Sequence, residues 1–373
     1  MWTGAGSTYS NSTLDETAGN CRIKRLCVMI DFVKLNEAYE EDRFYSLQLE
    51  IGDVCRQGCV YCYMNALPQG RNALSDETIL QVLEDSVKLN ISAVEWLGGE
   101  PLLRKSVFRF LEAGRDLGLR NNMWTGGLPL EDGEILRKTA SLCANGLIAF
   151  HLSSIDPAIY AKLHPGRTER DVNVIISAVK NVLDLGYPRS QVLNSVTYTG
   201  LQPPGDMMRT MDFFKREFGI ATSLNVYHTY LRPGARVKNL EKFIPSPRDT
   251  ALVYGKYAGI MDAPRLPMNC VNKQYCSATV AVLNDGSVTP CATIREGCRE
   301  NVHSHGFYEA VVRNRDFLIF KELKDTAGLH EDCKVCSLND SCWGCRSRAY
   351  VAGEGLYGKD PRCFRTPKAT SPR

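Results

Sequence analysis

Between residues 44 and 228 the chain switches repeatedly between two periodicities. Apolar residues fall on alternate positions in Phe44-Tyr45-Ser46-Leu47-Gln48-Leu49-Glu50-Ile51, which predicts a strand. Further strands are expected at residues 93–97, 122–125, 147–152, 192–198 and 222–228. Amphipathic stretches with helical spacing separate them, at 76–89, 107–117, 131–143, 170–185 and 206–218, with Ser75 and Asp76 placed to cap the first. This strand–helix alternation predicts a parallel α/β sheet. In an α/β barrel the reactive groups sit on loops at the C-terminal ends of the strands.

Outside that block the pattern changes. Residues 1–40 read as a frayed arm with one short strand, Leu26 to Phe32, too little for a module of its own. Five prolines between 231 and 268 mark a connecting region, taken as 241–268. From 269 to 365 helical periodicity gives way to cysteines, and 366–373 reads as a loose tail.

Composition narrows the function classes. Hydrophobic residues make up 44% of the chain, enough for a substantial core. Net charge is +3, with 45 basic and 42 acidic side chains and no basic block, so nothing argues for nucleic acid or a membrane surface. The polar start, Met1 to Asn20, has no secretory pattern, and no run is apolar for long enough to span a bilayer. A cytoplasmic protein is expected. Fifteen cysteines is a heavy and odd-numbered load, clustered rather than spread like a disulfide framework. Kept reduced, such clusters favour metal ligation.

The first cluster is Cys55-Arg-Gln-Gly-Cys59-Val-Tyr61-Cys62, in the loop after the first barrel strand. Three thiolates close together suit iron–sulfur or zinc. A structural zinc site wants four ligands, and no fourth thiol or histidine lies near in the sequence. Three thiolates on a cubane cluster leave one iron open for chemistry. The second strand ends in Gly98-Gly99-Glu100-Pro101, a turn whose glycines allow close backbone approach.

Together the C-x3-C-x2-C spacing, the aromatic residue before the third cysteine and the Gly-Gly-Glu-Pro turn resemble the radical S-adenosylmethionine (SAM) superfamily. The resemblance implies a partial (β/α)6 barrel over about residues 41–240. It implies a 4Fe–4S cluster on Cys55, Cys59 and Cys62, with SAM chelating the open iron and cleaved to a 5′-deoxyadenosyl radical. Tyr61, Gly98, Gly99, Glu100 and Pro101 would contact SAM, the turn binding its amino group. Ser154, after the fourth strand, and Arg167 match positions where related enzymes meet SAM, hydroxyls suiting ribose and a guanidinium suiting a carboxylate. Asn194 is a further ribose candidate, with a buried structural amide as its alternative.

The C-terminal cysteines are Cys270, Cys276, Cys291, Cys333, Cys336, Cys342, Cys345 and Cys363. The 333–345 block alone could be a four-cysteine zinc ribbon, but eight patterned thiols suit two four-thiolate sites. Their order resembles the SPASM extension of radical SAM enzymes. That resemblance assigns Cys270, Cys276, Cys291 and Cys345 to one auxiliary 4Fe–4S cluster. It assigns Cys333, Cys336, Cys342 and Cys363 to a second, making three clusters in all. Two residues separate Cys342 from Cys345 where the family usually has three, which leaves Cys345 the least secure assignment. Of the remaining cysteines, Cys143 lies on an apolar helix face and is expected in the core. Cys298 is a candidate hydrogen-atom donor, with ordinary packing as its alternative.

Enzymes of this appearance mostly oxidise, crosslink or epimerise peptides in natural-product maturation, and a smaller group are dehydrogenases or epimerases of aminocyclitols and sugars. Sulfatase-maturing relatives carry an acidic residue where this chain has Ala292, which counts against that activity. A flavodoxin- or ferredoxin-type donor and a separate leader-peptide recognition protein are the partners the resemblance implies. A non-catalytic iron–sulfur electron carrier is the alternative of another class, disfavoured because a relay needs neither an open iron nor a SAM site.

Overall fold

The computed structural model describes residues 30–227, 240–261, 265–295 and 299–365. Cys21, Cys27, Cys298, the 228–237 loop and the 366–373 tail lie outside them, as does most of the strand expected at 26–32. Its last residue, Phe32, opens a helix instead: α1 spans Phe32–Glu40, with the Asp31 carboxylate accepting from Lys34 N–H as its N-cap. Leu35 and Ala38, three apart on one face, bury against Tyr45 and Ala278.

The barrel strands are β1 (Ser46–Glu50), β2 (Ala93–Leu97), β3 (Arg120–Thr125), β4 (Ile148–His151), β5 (Val192–Tyr198) and β6 (Ala221–Val226). Neighbours pair in sequence order, all parallel. The crossover helices are α2 (Asp76–Lys88), α3 (Val107–Asp116), α4 (Gly133–Leu142), α5 (Pro157–Leu163), α6 (Glu169–Asp184) and α7 (Pro204–Phe213). Ser75 caps α2 through Thr78 N–H, as its sequence position predicts.

Side-chain parity divides the sheet into two faces. Leu47, Leu49, Val94, Trp96, Met123, Ile148 and Phe150 pack under the helices in the main core. Cys143 belongs to that core, as expected. Residues of opposite parity line the lumen, and its polar members pair with one another. The buried Glu95 carboxylate accepts from Ser46 Oγ at 2.9 Å, Asn122 Nδ2 at 2.7 Å and Trp124 Nε1 at 2.6 Å. Three parallel strands are thereby tied to one anion or its proton.

The proline-bearing stretch expected as a connection holds a 15-residue helix, α8 (Pro247–Met261). Pro247 occupies its first turn, where a missing N–H costs nothing. Tyr257, Ile260 and Met261 pack against Leu147, Ala149, Leu193 and Ala221, near the starts of β4, β5 and β6. The N-terminal end of the lumen is thus plugged, leaving the C-terminal end for chemistry.

Beyond α9 (Lys273–Ser277), β7 (Thr279–Val282) pairs parallel to β1 on the edge away from β2. Strands β8 (Ser287–Thr289) and β9 (Glu300–Asn301) follow antiparallel, giving nine strands in one sheet. Helix α10 (Val302–Leu318), kinked at Gly306, packs on α2. The cysteine-rich region therefore continues the barrel sheet.

Candidate active site

The loop after β1 carries Cys55, Cys59 and Cys62 to the C-terminal edge of the sheet. It is held from several sides. Cys55 N–H donates to Leu67 C=O at 2.9 Å, and Val60 N–H to Leu163 C=O at 3.0 Å. Buried Gln57 donates to the His151 carbonyl and to the Tyr160 hydroxyl, each at 3.2 Å, clamping the loop to the end of β4 and to α5. Arg167 donates to the Arg56 carbonyl and pairs with Asp171 at 3.1 Å, so this sequence-selected arginine does reach the loop.

All three thiols are pushed up by burial, Cys55 to about 12. They lie near enough that Cys59 is raised further by Cys62 and Cys55. Yet backbone N–H groups aim at the sulfurs: those of Gln57 and Gly58 at Cys55, those of Met64, Asn65 and Ala66 at Cys62. Donors converging on buried sulfurs serve thiolates, and thiolates in this setting need a cation.

Glycines 98 and 99 make close backbone contacts of their own. A Cβ on Gly98, at φ +146°, would sit 2.5 Å from the Gly52 carbonyl oxygen, and one on Gly99 2.5 Å from that of Val54. Gly99 and Glu100 N–H donate to those same two carbonyls at 2.8 Å. The turn is therefore pressed against the strand that feeds the cysteine loop. Glu100, buried beside Pro101, accepts from Thr125 Oγ1 at 2.9 Å and Gly126 N–H at 2.7 Å. Burial outweighs those bonds and raises its carboxyl to about 7.

Ser154 and Asn194 are occupied elsewhere. Ser154 Oγ accepts from Asp156 N–H at 3.1 Å in the turn before α5. The Asn194 amide accepts from Leu152 N–H and donates to Leu152 C=O, and its register partner Phe150 lies in the helix-side core. Neither side chain joins the groups around the loop. Ser153 does, with two histidines that sequence reasoning missed. The Tyr61 hydroxyl lies 2.7 Å from His151 Nε2, 3.0 Å from Ser153 Oγ and 3.1 Å from His164 Nε2. It also hydrogen bonds the Cys59 sulfur. Burial lowers His151 to about 4 and His164 to about 3, so both are neutral near pH 7. The available signal was His164 in the His-Pro-Gly-Arg stretch, but nothing in sequence spacing joins it to Tyr61.

The lumen also holds Glu50, at the end of β1, in a two-pronged pair with Arg295. Asn284 N–H adds a bond at 3.0 Å. Next to Cys291, Ala292 N–H donates to Gln48 Oε1 at 2.8 Å. Two lumen side chains of β1 thus dock the C-terminal region.

The C-terminal cysteines fall into two neighbourhoods. Cys270 hydrogen bonds Cys276, and it raises both Cys291 and Cys345. Separately, Cys333 is raised by Cys336 and Cys363, and Cys342 by Cys363 and Cys333. Gly344 N–H reaches the Cys342 sulfur at 3.2 Å, and Thr293 Oγ1 that of Cys291 at 3.1 Å. Among the described residues no cysteine is in a disulfide.

Residues 49–214 match the radical SAM superfamily. That stretch is a radical SAM domain. Among its relatives, a PqqA peptide cyclase of Rhizobium meliloti is 24% identical over 85% of this chain and 86% of its own length. An AdoMet-dependent heme synthase of Methanosarcina barkeri is 25% identical over 84% of this chain and 94% of its own. The fold is similar to that of Streptococcus suis SuiB bound to S-adenosylmethionine, with a TM-score of 0.63 at 15% identity, covering 94% of this chain and 88% of that one. SuiB has also been seen bound to the precursor peptide SuiA. Such a domain implies a 4Fe–4S cluster and SAM, and the converging N–H groups at Cys55 and Cys62 fit a thiolate-held cluster there. Among the described residues, no helix is long and apolar enough to cross a membrane.

Proposed function

We propose that this radical SAM protein removes a hydrogen atom from a C–H bond of a peptide, to oxidise, crosslink or epimerise it. The observation that carries the reading is the set of three mutually close thiols of the 55–62 loop at the open end of a parallel barrel. A cluster bound there supplies the electron that cleaves SAM to the 5′-deoxyadenosyl radical. The chain's residues do the positioning. Cys55, Cys59 and Cys62 hold the metal, with Gln57 and Arg167 fixing the loop that presents them. The Gly98–Pro101 turn lies against the strand feeding that loop, and Glu100 would accept from the amino group of SAM. The α8 plug excludes water from below.

The two C-terminal neighbourhoods support two auxiliary 4Fe–4S clusters of the SPASM kind, one on Cys270, Cys276, Cys291 and Cys345, the other on Cys333, Cys336, Cys342 and Cys363. Fully thiolate-held clusters suit carriage of an electron away from the substrate, and a flavodoxin- or ferredoxin-type partner would be the electron donor. The near full-length likeness to PqqA peptide cyclase supports a peptide substrate, as does the shared fold of a protein that binds a precursor peptide. The heme synthase relative supports the second reading, a small-molecule substrate.

Anaerobic incubation of the reconstituted enzyme with SAM, reductant and deuterated candidates tests both. Deuterium appearing in 5′-deoxyadenosine from a peptide supports the first reading, and from a sugar or tetrapyrrole the second. No SAM cleavage by fully loaded protein would reject both.

A further inference from the structure

Behind the cysteine loop three metal-binding atoms meet that radical chemistry does not use together. The Cys59 sulfur and one ring nitrogen each of His151 and His164 all lie within 4.8 Å of one another. The Tyr61 hydroxyl stands at their focus.

Both imidazoles are oriented from behind. His164 Nδ1 lies 3.1 Å from the Tyr160 carbonyl oxygen, which can only accept, so Nδ1 carries the proton. His151 likewise bonds the backbone of Ser195 through its ring, leaving Nε2 toward Tyr61. Each Nε2 therefore presents a lone pair to the focus. Ser153 Oγ, 3.5 Å from His151 Nε2, completes the polar lining of the focus.

Proteins hold zinc-class ions with this arrangement, imidazoles coordinating through one nitrogen while the other N–H is anchored on a carbonyl. A thiolate with two imidazoles is a donor set that selects such ions. We propose that the chain, before its cluster is in place, binds one zinc-class divalent ion at Cys59, His151 and His164, with Tyr61 as the adjacent oxygen donor. Binding displaces the Cys59 thiol proton and keeps both imidazoles in the tautomer they already have. The ion and the loop cluster exclude each other, because both require the Cys59 sulfur. Only this exclusion rests on the proposed cluster; the ion site stands without it.

The test uses the full chain stripped of metal under anaerobic reducing conditions, titrated with Co2+ and, separately, loaded with Zn2+ for X-ray absorption. Wild type should hold one more ion per chain than His151→Gln, His164→Gln or Cys59→Ser. Its zinc spectrum should show imidazole scattering that either histidine substitution reduces. Ions on the other cysteines occur in every protein and cancel in the difference. Far-UV circular dichroism selects the variants that fold, and the one-atom change Cys59→Ser is the least disruptive of them. Equal uptake by wild type and Cys59→Ser, or no imidazole signature in wild type, overturns the site. Zinc preloading should also lower the iron taken up by the loop in wild type but not in His164→Gln. Unchanged iron uptake in zinc-loaded wild type overturns the exclusion, whatever the enzyme's activity.

Discussion

Asp360 Oδ2 lies 2.7 Å from Arg348 Nη2 and also 2.7 Å from the backbone nitrogen of Cys345. Arg348 is 1% exposed and Asp360 2%, so the pair is removed from water. The guanidinium reaches Pro267 C=O as well, at 2.8 Å. One ion pair thereby joins the segment before Cys270 to the stretch between Cys345 and Cys363.

Breaking a buried pair by removing one charge leaves the other stranded, at about 3–5 kcal/mol. Asp360→Asn should lose stability on that scale in chemical denaturation of the loaded protein. Replacing both residues, with Arg348→Met and Asp360→Leu, should cost less than the single change.

The grouping of the C-terminal cysteines makes a separate prediction. Cys276→Ala and Cys336→Ala should each lower bound iron by about four atoms per chain, and their combination by about eight. Cys276→Ala with Cys345→Ala should lower it no further than either alone, because both serve one site. Iron analysis with Mössbauer spectroscopy distinguishes these outcomes and settles where Cys345 belongs.

If Glu100 accepts from the amino group of SAM, as proposed, SAM binding should depend on pH. Its carboxyl is raised to about 7 from an ordinary 4.5, so the folded protein holds that proton more tightly than the unfolded chain. The resulting stabilisation is complete below the unfolded value and is lost as pH rises through 7. Ligand binding has the opposite sense, since an amino group needs the ionised carboxylate as acceptor. SAM affinity should weaken as pH falls below about 7, by at most about tenfold per unit. In Glu100→Gln it should be weaker and flat across that range. Calorimetry between pH 6 and 8.5 reads both.

Gly99→Ala should act on the cysteine loop rather than on the ligand. A Cβ would stand 2.5 Å from the Val54 carbonyl oxygen, one residue ahead of Cys55. Relief requires the loop entry to shift, at about 1–3 kcal/mol. The loop should lose its iron, about four atoms per chain, while the C-terminal sites keep theirs.

The barrel strands were legible because alternation over four to seven residues is a local signal. Leu47 and Leu49 mark one face within three positions. Strands β7 to β9 escaped notice because they are short, β9 having only two residues. Helix α8 was hidden by Pro245 and Pro247, which read as a loop although proline is at home in a first helical turn. Cysteine spacing within each run was legible for the same local reason. The Tyr61–His151 contact was not, because it joins residues 90 positions apart. Nor does the sequence show that Ser153, not Ser154, bonds Tyr61, since both follow the last strand residue, His151.

The pairing of β7 with β1 has a kinetic consequence. One strand runs out into the Cys55 loop, and its neighbour leads through β8 to Cys291. Backbone ladders hold adjacent strands about 4.8 Å apart, and Glu50 with Arg295 bolts the ends together. Were clusters held at both sets of cysteines, as proposed, the sheet would fix the span an electron tunnels between them. Control over the timing of that transfer would then fall to driving force, set by what surrounds each group of sulfurs.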